Sequence, residues 1–349
     1  MTYEGFANLT PFAAEPLLLS DERGGDVFTC VVKATFALEP RRDGIAVNVA
    51  PEQAAPCMKA VYYGEPGASS IKYDSDAVIA KNGTDVALVG HAYAAYTGAP
   101  YADVSLAVGP ARNVVRVFGN RNWTNSLGRW IPTAPEPFDM MPLVYERAFG
   151  GWDRTNPNPA HHDFEPRNPV GVGFVSRKHG NPQVGAPLPN VENPSEPIVS
   201  PTDRPAPAGF GFIGPHWAPR ASYAGTYDDH WQQHRMPLLP NDFDRRYHSA
   251  GHPALTLQGF LRGGEPVEIV NASPRRILRF WLPVVQPFAS VKTIDGAIHR
   301  IGMALDTLVF EPSEDRFFLV WRGSLALPRG PHSVLWGKAQ LTSATGAAT

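Results

Sequence analysis

Val27-Phe28-Thr29-Cys30-Val31-Val32-Lys33-Ala34-Thr35-Phe36-Ala37-Leu38 decides the fold class. Phe28, Cys30, Val32, Ala34, Phe36 and Leu38 recur at period two, the spacing at which a strand turns alternate side chains to one face. Asp43-Gly44 follows as a turn with positive φ, and Ile45, Val47 and Val49 resume the alternation. Together they predict a β-hairpin. Outward from it the pattern returns. Asn82-Gly83, between Val78-Ile79-Ala80 and Val86-Ala87-Leu88-Val89, predicts a second hairpin. Val104, Leu106 and Val108 run into Gly109-Pro110, with Val114-Val115-Arg116-Val117-Phe118 beyond. Residues 1–130 are therefore expected to be β-rich and packed as a sandwich.

Strand signals reappear over residues 254–342. Leu255, Leu257 and Gly259, then Gly263-Gly264, then Val267-Glu268-Ile269-Val270 read as another hairpin. Ile277 to Leu282, Thr307 to Phe310 and Phe317 to Trp321 complete this end. The small polar tail from Ser343 is expected to fray.

Residues 131–253 differ in texture, holding 21 of the 36 prolines and 8 of the 11 histidines. Regular sheet is not expected where proline removes so many ladder donors. Disorder is not expected either, because tryptophans and arginines sit among the prolines and large apolar side chains offset the entropy of ordering. One short helix is predicted here, with Thr226 as N-cap, Asp229 three residues on, and Pro237 as the stop. Its spacing puts Tyr227 and Trp231 on one face, and His230 and His234 on another. The expected architecture is mainly β: sandwich-like regions at both ends, joined by a long ordered Pro/Gly-rich segment with one or two short helices, as one compact unit.

Composition narrows the function. The chain has 349 residues, a net charge of −2 and 43% hydrophobic content, which suits a globular protein and offers no electrostatic footprint for nucleic acid. No apolar run reaches membrane-spanning length, and Met1-Thr2-Tyr3-Glu4-Gly5-Phe6 does not read as a secretory signal. Two cysteines make no disulfide framework, so a cytoplasmic location is expected.

Catalytic signatures are weak. His230 and His234 have the i, i+4 spacing of a zinc pair, but Trp231 stands where a metalloprotease helix carries its glutamate. A metal-dependent hydrolase built on them is an alternative reading. Gly171-Val172-Gly173 lacks the third glycine of a dinucleotide loop, and neither a Gly-Lys-Ser/Thr phosphate loop nor a Gly-x-Ser-x-Gly elbow occurs. No cofactor and no catalytic residue is expected. Trp217, Arg220, Tyr223, Tyr227 and Trp231 cluster instead, with Trp152 and Arg154 upstream. These residue types concentrate binding energy at interfaces, joining large desolvated area to a polar handle. They are the candidate partner-binding residues. A carbohydrate-binding sandwich using Trp217 is a further alternative.

An ordered run of motifs carries a resemblance. It comprises Arg147-Ala148-Phe149-Gly150-Gly151, Asn168-Pro169-Val170-Gly171-Val172-Gly173-Phe174, Leu188-Pro189-Asn190-Val191-Glu192, Pro207-Ala208-Gly209-Phe210-Gly211, Trp217-Ala218-Pro219-Arg220, Ala224-Gly225-Thr226-Tyr227-Asp228 and Pro237-Leu238-Leu239-Pro240-Asn241-Asp242-Phe243-Asp244, with Pro11-Phe12, Val31-Val32-Lys33-Ala34-Thr35-Phe36 and Gly263-Gly264-Glu265 on either side. With these the chain, from about residue 9 to about 330, resembles a bacterial domain-of-unknown-function family linked to type VI secretion. The resemblance implies a non-catalytic adaptor or chaperone that binds a toxic effector and helps load it onto a PAAR-type spike-tip protein. It offers no catalytic residues.

Overall fold

The computed structural model describes residues 5–42, 44–178 and 180–342. Its centre is the strand Asp26–Arg41, 16 residues long. The alternating set Phe28, Cys30, Val32, Ala34, Phe36 and Leu38 is buried as the spacing predicts. The opposite face is buried too, because the chain after Gly44–Val49 folds back over it. Ala54 N–H donates to Thr35 Oγ1 at 3.0 Å, and Lys33 pairs with Asp76 at 3.6 Å. A strand covered on both faces needs a hydrogen-bonded partner along each edge. Ala13–Ser20 supplies one and Arg316–Ala326 the other, both antiparallel.

The β-rich ends expected from the sequence are present, and they interleave. One six-stranded sheet runs in the order Ala13–Ser20, Asp26–Arg41, Arg316–Ala326, Ala304–Glu311, Asp85–Leu88, with Gly44–Val49 added beside Asp26–Arg41. A five-stranded sheet runs Val191–Glu192, Ala111–Phe118, Tyr101–Val108, Pro266–Val270, Ile277–Trp281. Strands from both ends of the chain thus share each sheet. The two sheets pack through aromatic rings: Phe280 of the second lies 6.2 Å from Phe310 and 5.4 Å from Phe317 of the first. Each such ring, fully buried, contributes roughly 1.5–3 kcal/mol. A four-stranded sheet of Phe6–Asn8, Val334–Leu341, Pro287–Thr293 and Ile298–Gly302 flanks them.

One of the three predicted hairpins forms. Asp26–Arg41 pairs with Gly44–Val49, Arg41 facing Gly44, though Asp43 of the expected turn lies outside the described residues. The strand signals on either side of Gly109-Pro110 also meet, Tyr101–Val108 pairing with Ala111–Phe118. The other two predicted hairpins do not form. Val78-Ile79-Ala80 forms no strand, and Asp85–Leu88 pairs in parallel with Ala304–Glu311. Gly83 marks a backbone crossing there, where a Cβ would overlap Leu257 O. Leu255 to Gly259 is not a strand either, and Pro266–Val270 pairs with Ile277–Trp281 and Tyr101–Val108. The first strand takes its ladder from a distant one, and the second lies between the next strand in sequence and a distant one.

Candidate functional site

Residues 131–253 form few ladders, yet each proline keeps its carbonyl acceptor while contributing no N–H. Guanidinium groups make up the missing donors. Arg220 donates to Tyr247 O at 2.8 Å and Ile213 O at 2.9 Å. Arg204 reaches Pro201 O at 2.9 Å and also Val175 O, while Arg235 reaches Leu239 O at 2.8 Å. Five donors in a fixed fork suit this task, and it explains why arginine accompanies proline along the segment.

The motif segments meet at one knot. Phe149–Gly150 pairs in parallel with Val172–Gly173, and Ala148 bridges to Val191. Asn168 is fully buried and its Nδ2 donates to Tyr145 O at 2.8 Å and Phe149 O at 3.0 Å. Space is so short that a Cβ on Gly171 would overlap the Asn168 amide, and one on Gly151, at φ +91°, would overlap Gly171 O. These glycines permit close backbone approach, which is the alternative to a phosphate loop.

From this knot the short hairpin Trp152–Asp153 and Asp163–Phe164 projects. Asp153 anchors it from inside, accepting from Thr155 N–H at 3.0 Å and Ser176 N–H at 2.8 Å. Beside it, burial works against ionisation of Glu165, but the Arg167 side chain and N–H outweigh that and hold its pKa below the usual range. On the outside Trp152, 46% exposed, stacks on Phe164, 38% exposed, with ring centroids 4.5 Å apart at 20°. The Arg154 guanidinium lies 5.1 Å from the Trp152 ring. Phe164 was not singled out from sequence, since a two-residue strand has no periodicity to read.

The remaining candidates divide. Trp217 is 7% exposed, edge-on to Tyr145 at 5.6 Å. No sugar stacks on a ring so enclosed, which removes the basis of the carbohydrate reading at Trp217. Arg220, also 7% exposed, pairs with Asp74 at 2.9 Å besides its two carbonyls. Both hold the platform together. Tyr223 is half-buried under the Arg246 guanidinium, 4.3 Å away. Tyr227 is 53% exposed and packs edge-on against Trp231 at 4.8 Å, while Trp231 Nε1 donates to Leu238 O at 2.9 Å. Tyr227, exposed, and Trp231, half-buried, form a second aromatic group, on the helix Asp229–His234 and its lead-in.

That helix is capped by Asp228, whose side chain accepts from Trp231 N–H at 2.8 Å. Thr226 is not the cap. Its hydroxyl donates to Asp242, an exposed carboxylate whose pKa is lowered by the Thr226 N–H and hydroxyl. His230 and His234 do lie together, rings 4.9 Å apart and exposed. Among the described residues, however, no group of three or more His, Cys, Asp or Glu side chains is arranged to hold a metal ion. The histidine pair has no third ligand there. Also among the described residues, no helix is long and apolar enough to cross a membrane.

Residues 23–322 match the family described as "Uncharacterized protein conserved in bacteria (DUF2169)", and the chain belongs to that family. No curated protein and no solved structure matches it.

Proposed function

We propose that this member of the bacterial DUF2169 family is a non-catalytic adaptor that binds a type VI secretion effector in the cytoplasm and presents it to a PAAR-type spike-tip protein. One observation carries the binding part of this reading: the exposed Trp152 and Phe164 stack, pinned from beneath by Asp153 and flanked by Arg154. Rigid aromatic area loses little conformational entropy when covered, and a neighbouring guanidinium fixes orientation through carbonyl or carboxylate hydrogen bonds. Tyr227 and Trp231 offer a second patch of the same chemistry. The type VI part rests on the ordered run of motifs from Arg147 to Asp244.

Binding would stabilise the effector only as far as it favours a folded or loading-competent state. Co-purification with the effector and spike-tip protein encoded beside the gene tests the reading. Complex formation at micromolar concentration is expected, weakened about tenfold or more by Trp152→Ala with the melting temperature unchanged. Failure of well-folded components to associate at that concentration would refute it.

A further inference from the structure

The four-stranded sheet turns one face into the core and the other outward, and the outward face carries charge of one sign. Ala289, Val291, Ile301 and Ala339 are its buried set. The alternating residues of the same strands point the other way, among them Phe288, Lys292, Arg300, Trp336 and Lys338. Register aligns Arg300, Ser290 and Lys338 in one row across the strands, and Ile298, Lys292 and Trp336 in the next. Arg300 thus stands two strands from Lys338, a Cα separation of about 10 Å. The charged side chains on this face are Lys292, Arg300 and Lys338, all cations, and among the described residues none of them has an ion pair. Asp295, in the turn after Lys292, is engaged by the Thr293 hydroxyl at 2.6 Å and by Arg329 at 3.8 Å. The face runs on into a cleft of about 440 Å3, where Phe288 and Arg300 meet Phe260, Arg262 and Met303, and no acidic side chain lines it. Arg262 adds a cation there, but Glu265 accepts its backbone N–H at 2.9 Å, so the charge balance is drawn from the other three.

Like charges this close are only partly screened at physiological salt, so the face repels itself until an anionic partner covers it. The rings decide what kind of anion fits. The Arg300 guanidinium lies 4.0 Å from the Phe288 centroid and the Lys338 ammonium 4.7 Å from that of Trp336. A nucleic-acid base stacks poorly on a ring already covered by a cation, whereas a carboxylate needs only the cation's unused N–H groups. We infer that this sheet face docks an acidic segment of a partner protein. Its carboxylates take Arg300, Lys338 and Lys292, while its apolar side chains cover Ile298, 62% exposed, and the adjoining cleft. The inference stands on the sheet alone and needs no part of the adaptor reading. Carboxylates about 10 Å apart fall three residues apart in an extended chain, at about 3.3 Å per residue.

The probe is a fluorescein-labelled peptide in which Glu recurs every third residue between Thr and Phe, titrated into the full chain beside its Gln counterpart. The Glu peptide is expected to bind about tenfold more tightly or better, and to weaken as salt rises to about 0.5 M. Arg300→Glu and Lys338→Glu are each expected to weaken it about tenfold or more. Arg112→Glu, the same charge change at an exposed residue of the five-stranded sheet, is expected to leave it as it was. Arg300→Gln takes the place of a reversed variant that does not fold, with a loss in the same direction. Equal binding of the Glu and Gln peptides, a loss no larger on this face than at Arg112, or no binding at all would each overturn the inference. So would tighter binding of an oligothymidylate strand or of phosphatidylserine vesicles than of the Glu peptide. No effector enters the assay, so its outcome leaves the adaptor reading where it stands.

Discussion

Asn168→Asp changes one atom's chemistry and leaves the side chain's shape intact, so it isolates what holds the motif knot together. Asn168 is fully buried, both of its amide hydrogens serve carbonyls of Tyr145 and Phe149, and its Oδ1 has no partner. An ionised aspartate would offer no donor and would place charge against two carbonyl oxygens. The folded variant therefore keeps its proton, while the unfolded chain releases it near pH 4. Keeping an aspartic acid neutral at pH 7 costs about 4 kcal/mol, since each pH unit above the ordinary pKa is about 1.4 kcal/mol. A protonated carboxyl donates once, so one buried carbonyl also loses its donor, adding about 1–3 kcal/mol. The expected deficit at neutral pH is about 5–7 kcal/mol, comparable with the whole stability of many domains. Its folded-state pKa is raised, so the sign is definite. The deficit is smallest near pH 4 and grows by about 1.4 kcal/mol per unit as pH rises. Guanidinium unfolding followed by tryptophan fluorescence at several pH values measures it, with Asn168→Leu as a control whose deficit does not vary with pH through this site. A deficit below about 1 kcal/mol at pH 7, or one that does not grow with pH, would refute the assigned role of Asn168.

Two further expectations concern the platform. Trp217→Ala should destabilise the protein by about 3–5 kcal/mol, as large-to-small changes in a packed core do, measured by the shift in denaturation midpoint. A shift within noise would return that ring to the list of contact residues. His248 and His252 are held neutral by burial, their pKa values pushed down to about 4, and for His248 the nearby Arg220 adds to the effect. The unfolded chain binds these protons near pH 6.5, so stability is complete above that value and falls between pH 6.5 and about 4. The loss is about 2–3 kcal/mol for each histidine after allowing for partial exposure. Unfolding of His248→Gln across that window should give a flatter pH dependence, and an unchanged slope would contradict the assignment.

Much of the fold was legible where neighbours in sequence are neighbours in space. The alternation from Phe28 to Leu38 gave a strand whose marked residues are all buried, and Tyr227 with Trp231, and His230 with His234, meet as helical spacing requires. The Asn82-Gly83 signal failed because the strand after it pairs in parallel with Ala304–Glu311, more than two hundred residues away. The helix cap moved from Thr226 to Asp228 because Asp242, sixteen residues on, captures the threonine hydroxyl. At the candidate site the aromatic and arginine cluster was visible as composition. Which members face out was not, since Trp152 and Trp217 differ only in what folds over them.

Sequence alone determined the β character, the ordered proline-rich centre and the residue types from which a docking surface can be built. Periodicity, turn chemistry and side-chain volume are local properties, written into the chain before it folds. Tertiary structure alone decided that the two ends weave into common sheets, and that Trp217 and Arg220 lie inside while Trp152 lies outside. Those outcomes depend on which distant backbone supplies the missing hydrogen bonds and which surfaces are thereby closed to water.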